Sequence, residues 1–162
     1  MTPDEFVARW ENTTLTERAA AQSHFIELCR LLQVPTPTEA DPQGEFYTFE
    51  KQTDKDTGHR GFADVWYKEH FAWEYKKPQR DLDAALAQLR QYAGALGNPP
   101  LLVVSDMRRI RVITQFTNYV TRTREIPIAD LRDAKTREWL HNLWINPLAF
   151  RPDQTREQVT EA

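Results

Sequence analysis

From Phe62 to Lys76 the chain reads FADVWYKEHFAWEYK, two aromatic-rich runs separated by Lys68, Glu69 and His70. Runs dense in Trp, Tyr and Phe suit a pleated, half-buried surface, and a short polar break between two of them marks a hairpin. Inside these runs stand Asp64, Glu74 and Lys76. Charged residues within buried strands are rare unless they have a partner or a task. This segment therefore demands a sheet whose hairpin carries carboxylates into a largely apolar setting.

Register decides what those carboxylates can do. Side chains alternate along a strand, so Glu74 and Lys76 share a face with Ala72. If Tyr67 faces Phe71, facing residue numbers sum to a constant, and Asp64 falls opposite Glu74. Facing Cβ atoms lie about 4.5–5.5 Å apart, close enough for two carboxylates to repel unless a cation lies between them. A slip of one residue sets Asp64 against Trp73 or Tyr75 instead. In the first register the oxygen-rich pair suits a hard divalent ion such as Mg²⁺, with Mn²⁺ as its substitute. Asp64, Glu74 and the backbone carbonyl of Tyr75 are the expected ligands. Lys76 then stands beside the ion, where its charge can stabilise a developing phosphorane.

The flanking sequence supplies the layers. Thr14 and Glu17 form a T-x-x-E capping box, and Ala21, Phe25, Leu28, Cys29 and Leu32 follow at helical spacing after a short polar leader. Pro35, Pro37 and Pro42 read as a loop, Glu45 to Lys51 as a strand, and Gln52 to Arg60 as an exposed turn. A second helix is expected from Asp81 to Leu96. Leu101–Ser105 and Arg109–Gln115 are strands around a turn at Asp106–Arg108, and Asp133–Trp144 is a later helix. Asn146 to Pro152 reads as a linker. The order is α-β-β-β-α-β-β-α, a mixed α/β core with helices on either side of a sheet. Thr155 and Gln158 form a second capping box with only four residues after it, too few for a stable helix. The expected division is a domain over 1–150 and a segment over 151–162 that starts a further helix in a longer protein, with a frayed polar tail as the alternative.

Composition bounds the function. The 162 residues are 40% hydrophobic and 28% charged, ordinary for one globular domain, and no apolar run is long enough for a membrane span. The single cysteine, Cys29, excludes an internal disulfide and reads as a buried core thiol, in a cytoplasmic setting. A net charge of −3 argues against tight DNA binding by this chain alone, because phosphate neutralisation supplies most non-specific affinity.

Asp64, nine intervening residues and then Glu74-Tyr75-Lys76 resemble the D-X(n)-E-X-K signature of the PD-(D/E)XK nucleases. The pattern gains weight from lying on consecutive strands, before a helix, within αβββαβ order; Ala63 stands where the signature's proline is usual. The stretches TLTERAAAQSHFIELCRLLQVPTP, GFADVWYKEHFAWEYKKPQRDLDAALAQLRQYAGALGNPPLLVVSDMRRIRV and FRPDQTREQVTE are similar to the amino-terminal region of MmeI-type restriction-modification enzymes. That resemblance implies a restriction endonuclease-like core and metal-dependent hydrolysis of double-stranded DNA, leaving 5′-phosphate and 3′-hydroxyl ends. It also implies that 151–162 start a helical spacer to a downstream adenine methyltransferase and target-recognition domain, and double-strand cutting that dimerisation could serve. The resemblance implies the catalytic role for Asp64, Glu74 and Lys76. The competing reading is a silent nuclease fold, used for DNA binding or docking in a phage-defence protein.

Secondary candidates surround this set. Gln88 and Tyr92 lie one turn apart on the helix after the lysine and can face the site or pack at the core edge. Glu27, with His24 and Ser23, could add a carboxylate or lie on an exposed face, and Glu50 could line the same cleft. Lys77 and Arg80 could meet DNA phosphates. Arg108, Arg109, Arg111, Arg122 and Arg124 read as solvated charges. His59, His70 and His141 lack metal-ligand spacing.

Overall fold

The computed structural model describes residues 1–14, 18–54, 60–77 and 81–152. Six strands, β1 (Tyr47–Asp54), β2 (Arg60–Tyr67), β3 (Phe71–Tyr75), β4 (Leu101–Ser105), β5 (Arg109–Thr114) and β6 (Thr123–Pro127), form one sheet in sequence order. Only β3 and β4 pair in parallel; the other neighbours are antiparallel. A parallel pair needs a crossover, and α4 (Leu82–Tyr92) provides it. The short hairpin Lys68-Glu69-His70 gives β2–β3 the first of the two registers considered, with Tyr67 facing Phe71, Trp66 facing Ala72 and Val65 facing Trp73.

Each sheet face has its own core. Phe71, Trp73 and Tyr75 on β3 pack with Phe6, Trp10, Phe25, Leu28, Leu140 and Trp144 from α1 (Pro3–Trp10), α2 (Arg18–Leu32) and α5 (Ala134–Ile145). On the opposite face Ala63, Trp66 and Ala72 pack with Leu82, Ala85, Leu86 and Leu89 of α4. The expected mixed α/β sheet, flanked by helices around an αβββαβ core with extra elements, is what the chain forms. Among the described residues no helix is long and apolar enough to cross a membrane.

Several elements depart from the sequence reading. The stretch taken as a leader is helix α1: Thr2 caps it by accepting the Glu5 N–H at 3.1 Å, Pro3 opens it, and Phe6, Val7 and Trp10 are buried. The proline-rich loop contains a one-turn helix, α3 (Pro37–Ala40), closed by a Thr36–Glu39 capping box. β1 runs on to Asp54 and β2 begins at Arg60, so the expected turn shortens; residues 55–59 lie outside the described part. α4 stops at Tyr92, and the chain turns through Gly97, whose φ of +80° suits a residue without a Cβ. β6 was not foreseen, because only Ile126 in it is buried. The linker forms a 3₁₀ turn, Pro147–Phe150, with Phe150 against Trp139 at 5.5 Å. Glu17 and the Thr155–Gln158 capping box lie outside the described residues.

Candidate active site

The β1–β2 hairpin does something unusual at Asp64. Residues two apart in a strand share a face. Yet Val65 packs on the α2 side and Ala63 on the α4 side. On β1, Phe49 packs on the α2 side, while the Lys51 ammonium lies 4.7 Å from the centre of the Trp66 ring, on the α4 side. The strand pairs Phe49–Val65 and Lys51–Ala63 flank Glu50 and Asp64, and Glu50 has a left-handed φ of 54°. Both strands therefore change face at this one pair. The flip also parts β2 from β3, whose ladder ends at Val65–Trp73 while β3 keeps pairing with β4 as far as Tyr75–Ser105.

Asp64 sits in that fork. Its carboxylate accepts the Tyr75 N–H at 2.7 Å, replacing the ladder bond that the separating strands give up. It also hydrogen-bonds the Glu74 carboxyl. Glu74 is only 7% exposed. Burial, then the Asp64 charge and the hydrogen bond with it, raise the Glu74 pKa far above the ordinary carboxylate range, with Lys76 opposing. Without an ion, burial and the neighbouring charge both favour the protonated form of Glu74.

Lys76 follows directly. Its backbone N–H donates to Ser105 O at 2.8 Å, and its ammonium donates to Gln88 Oε1 at 3.0 Å. Lys76, Lys77, Asp81 and Ala84 line an open cleft of about 440 Å³. On the α2 side, Asp64, Glu50, Gln22 and Tyr75 line a cavity of about 10 Å³, room for one water-sized sphere.

The structure thus brings Asp64, Glu74, Lys76 and Gln88 together, puts Glu50 against Asp64, and opens Lys77 to the same cleft. Tyr92 packs against the α4-side core instead. Glu27 is taken up elsewhere: it accepts the Trp10 Nε1–H at 2.9 Å and lies 3.3 Å from Arg9, so α1 engages it. Arg80 lies outside the described residues. Three arginines read as solvated are internal ties. Arg108 donates to Thr13 O, Arg109 pairs with the buried Asp106 at 2.9 Å, and Arg111 joins Asp83 to Glu125. Cys29 is buried as expected, and burial pushes its thiol up to about 12, where it is no nucleophile.

Sequence reasoning named His24 only as a neighbour of Glu27 and missed its place in the core. It is fully buried behind the site, with Nδ1 2.8 Å from the Tyr75 hydroxyl and Nε2 3.0 Å from Met107 O. Burial lowers its pKa to about 4, against the weaker raising effects of the Met107 carbonyl and the Asp106 charge. A signal was available, since His24 lies three residues after Ala21 and four before Leu28, on the apolar stripe of α2.

A family model described as the N-terminal domain of MmeI matches residues 1–160. The chain belongs to that family. No curated protein matches significantly. Among solved structures, the cryo-electron microscopy structure of a DrdV–DNA complex resembles this family member in fold, with a TM-score of 0.51 and 19% identity. The match covers 93% of this chain and 14% of that one, so the chain spans a small part of the neighbour's length.

Proposed function

We propose that this chain is the DNA-cleaving module of a restriction-modification protein, hydrolysing phosphodiesters of double-stranded DNA with Mg²⁺ or Mn²⁺. The observation that carries the reading is the Asp64–Glu74 contact in a fork of the sheet, with Lys76 beside it at an open cleft. A buried carboxyl set against a second one, where burial and that charge disfavour its ionised form, belongs to a donor set suited to a hard divalent cation. Among the described residues no third His, Cys, Asp or Glu completes a metal cluster. Backbone oxygen and water then make up the coordination, as Mg²⁺ commonly accepts. Asp64, Glu74 and the Tyr75 carbonyl are the residues that would hold it. A bound ion supplies positive charge that acidifies water and offsets charge on the phosphate.

The chain's own groups do the rest. Lys76 places an ammonium where negative charge develops, and Gln88 fixes that ammonium by accepting from it. Lys77, exposed on the same cleft, and Arg80 are suited to the DNA backbone. Glu50 lines the small cavity behind Asp64 as an accessory carboxylate.

Family membership, and a fold shared with part of a protein solved on DNA, support duplex DNA as the substrate. The net charge of −3 supports a division of labour. In this reading the methyltransferase and target-recognition domains lie downstream in the same polypeptide and do most of the gripping, and dimerisation serves double-strand cutting. Calorimetric titration with Mg²⁺ and Mn²⁺ tests the ligand assignment: wild type should bind and Glu74→Gln should bind at least about tenfold more weakly. Equal binding by both proteins, or none by wild type at millimolar ion, would refute it.

A further inference from the structure

Tyr75 is the residue between Glu74 and Lys76, and alternation sends its side chain to the opposite face. There its ring packs in the α1/α2/α5 core, 8% exposed, and its hydroxyl meets His24 Nδ1 at 2.8 Å. The second His24 nitrogen, Nε2, lies 3.0 Å from Met107 O. A carbonyl can only accept, so Nε2 carries the proton. Nδ1 of this neutral ring is then a bare acceptor, and the Tyr75 hydroxyl donates to it.

These bonds close a ring. Lys76 N–H donates to Ser105 O at 2.8 Å, and Met107, two residues further on, accepts from His24. The turn itself is stiff: Ser105 Oγ accepts the Met107 N–H at 3.0 Å and donates to Arg109 O at 2.6 Å. The path therefore runs from Tyr75 through His24 to Met107, back along the turn to Ser105, and to Lys76. Edge contacts from Phe6 at 5.2 Å and Trp10 at 5.1 Å fix the imidazole ring in place.

We propose that His24 is a positioning residue for Glu74-Tyr75-Lys76, holding the segment through the Tyr75 hydroxyl in the arrangement that takes a divalent cation. The inference rests on the reading of Asp64 and Glu74 as ion ligands. Its logic is that of an outer partner that orients a ligand it does not touch. Asp64 accepts the Tyr75 N–H, so any rotation of Tyr75 also moves the Asp64 carboxylate.

The test compares wild type, Tyr75→Phe, His24→Leu and the double variant, at a temperature where circular dichroism shows each folded. Tyr75→Phe keeps the ring and its packing, so it reports even if His24→Leu does not fold. Two quantities are read: Mn²⁺ affinity, and hydrogen exchange at the Tyr75 and Lys76 amides. Each single variant should bind Mn²⁺ about tenfold more weakly. The double should be no weaker than the worse single, since both remove one bond. Both amides should exchange faster. A purely structural His24 would lower the melting temperature, with Mn²⁺ affinity at the wild-type value and protection falling no more at Tyr75 and Lys76 than at the other sheet amides, and that result overturns the proposal. Should wild type bind no Mn²⁺, the ligand reading itself fails. Amide exchange then decides the positioning role alone: protection in Tyr75→Phe that falls no more at Tyr75 and Lys76 than across the sheet overturns it, and a loss confined to those two amides upholds it.

Discussion

Asp64 has two tasks that a single substitution can separate. It carries charge beside Glu74, and it satisfies the Tyr75 N–H where the β2–β3 ladder stops. Repulsion alone predicts that Asp64→Ala stabilises the ion-free protein. The hydrogen bonds argue otherwise, because burial already favours a protonated Glu74, while alanine leaves a partly buried donor, the Tyr75 N–H, without its acceptor. Such a loss costs about 1–3 kcal/mol. Asp64→Asn keeps an acceptor for Tyr75 and a partner for Glu74 and removes only the charge. We therefore expect Asp64→Ala to unfold at lower denaturant than wild type and Asp64→Asn to stay within about 1 kcal/mol of it. Equilibrium unfolding of the three proteins without added ion measures this, and an Asp64→Ala protein more stable than wild type would contradict it.

At the scale of elements, α2 is tied to the sheet through a histidine that stays neutral. Folding depresses the His24 pKa from 6.5 to about 4, so between those values the unfolded chain binds more proton than the folded one. The stability linked to His24 is complete above pH 6.5 and is lost as the pH falls toward about 4. The full span corresponds to roughly 3 kcal/mol. The groups that face the ring are the Tyr75 hydroxyl, the Met107 carbonyl and the Asp106 carboxylate, and the last two only partly offset its desolvation. Unfolding free energies of wild type and His24→Gln from pH 7.5 to 4.5 should converge as the pH falls; parallel curves would show that His24 titrates normally. Elements also show what the sequence could reveal. The β2–β3 register was readable because a three-residue polar break leaves few ways to close a hairpin. The α2 and α4 stripes were readable because their apolar periods run for three turns or more. α1 escaped because eight residues offer too short a period, although Thr2-Pro3 is a start signal. β6 escaped because an edge strand with one buried residue has almost no hydrophobic pattern.

For the whole molecule, the site was legible as a list of residues but not as a geometry. Nothing in the one-dimensional pattern foretold that both strands of the β1–β2 hairpin change face at Glu50 and Asp64, because that depends on a left-handed backbone at a residue that seldom adopts one. Nor could spacing alone assign Glu27, since its partners Trp10 and Arg9 lie on the helix the sequence concealed. The acidic balance of the chain makes a prediction at this scale. Residues 1–162 alone should bind unrelated duplexes weakly and alike, and the binding should fade steeply as salt rises. Fluorescence anisotropy on several duplexes at two salt concentrations would reveal the opposite case, tight and salt-tolerant binding to one sequence. The most direct test of the account is cleavage of duplex DNA in Mg²⁺ by wild type, Asp64→Asn and Lys76→Ala, made in this chain and in the longer protein proposed to contain it, with folding checked alongside. Wild type should cut, and both variants should be slower by at least about a hundredfold while still folded. A folded Asp64→Asn protein that cuts at the wild-type rate would contradict it.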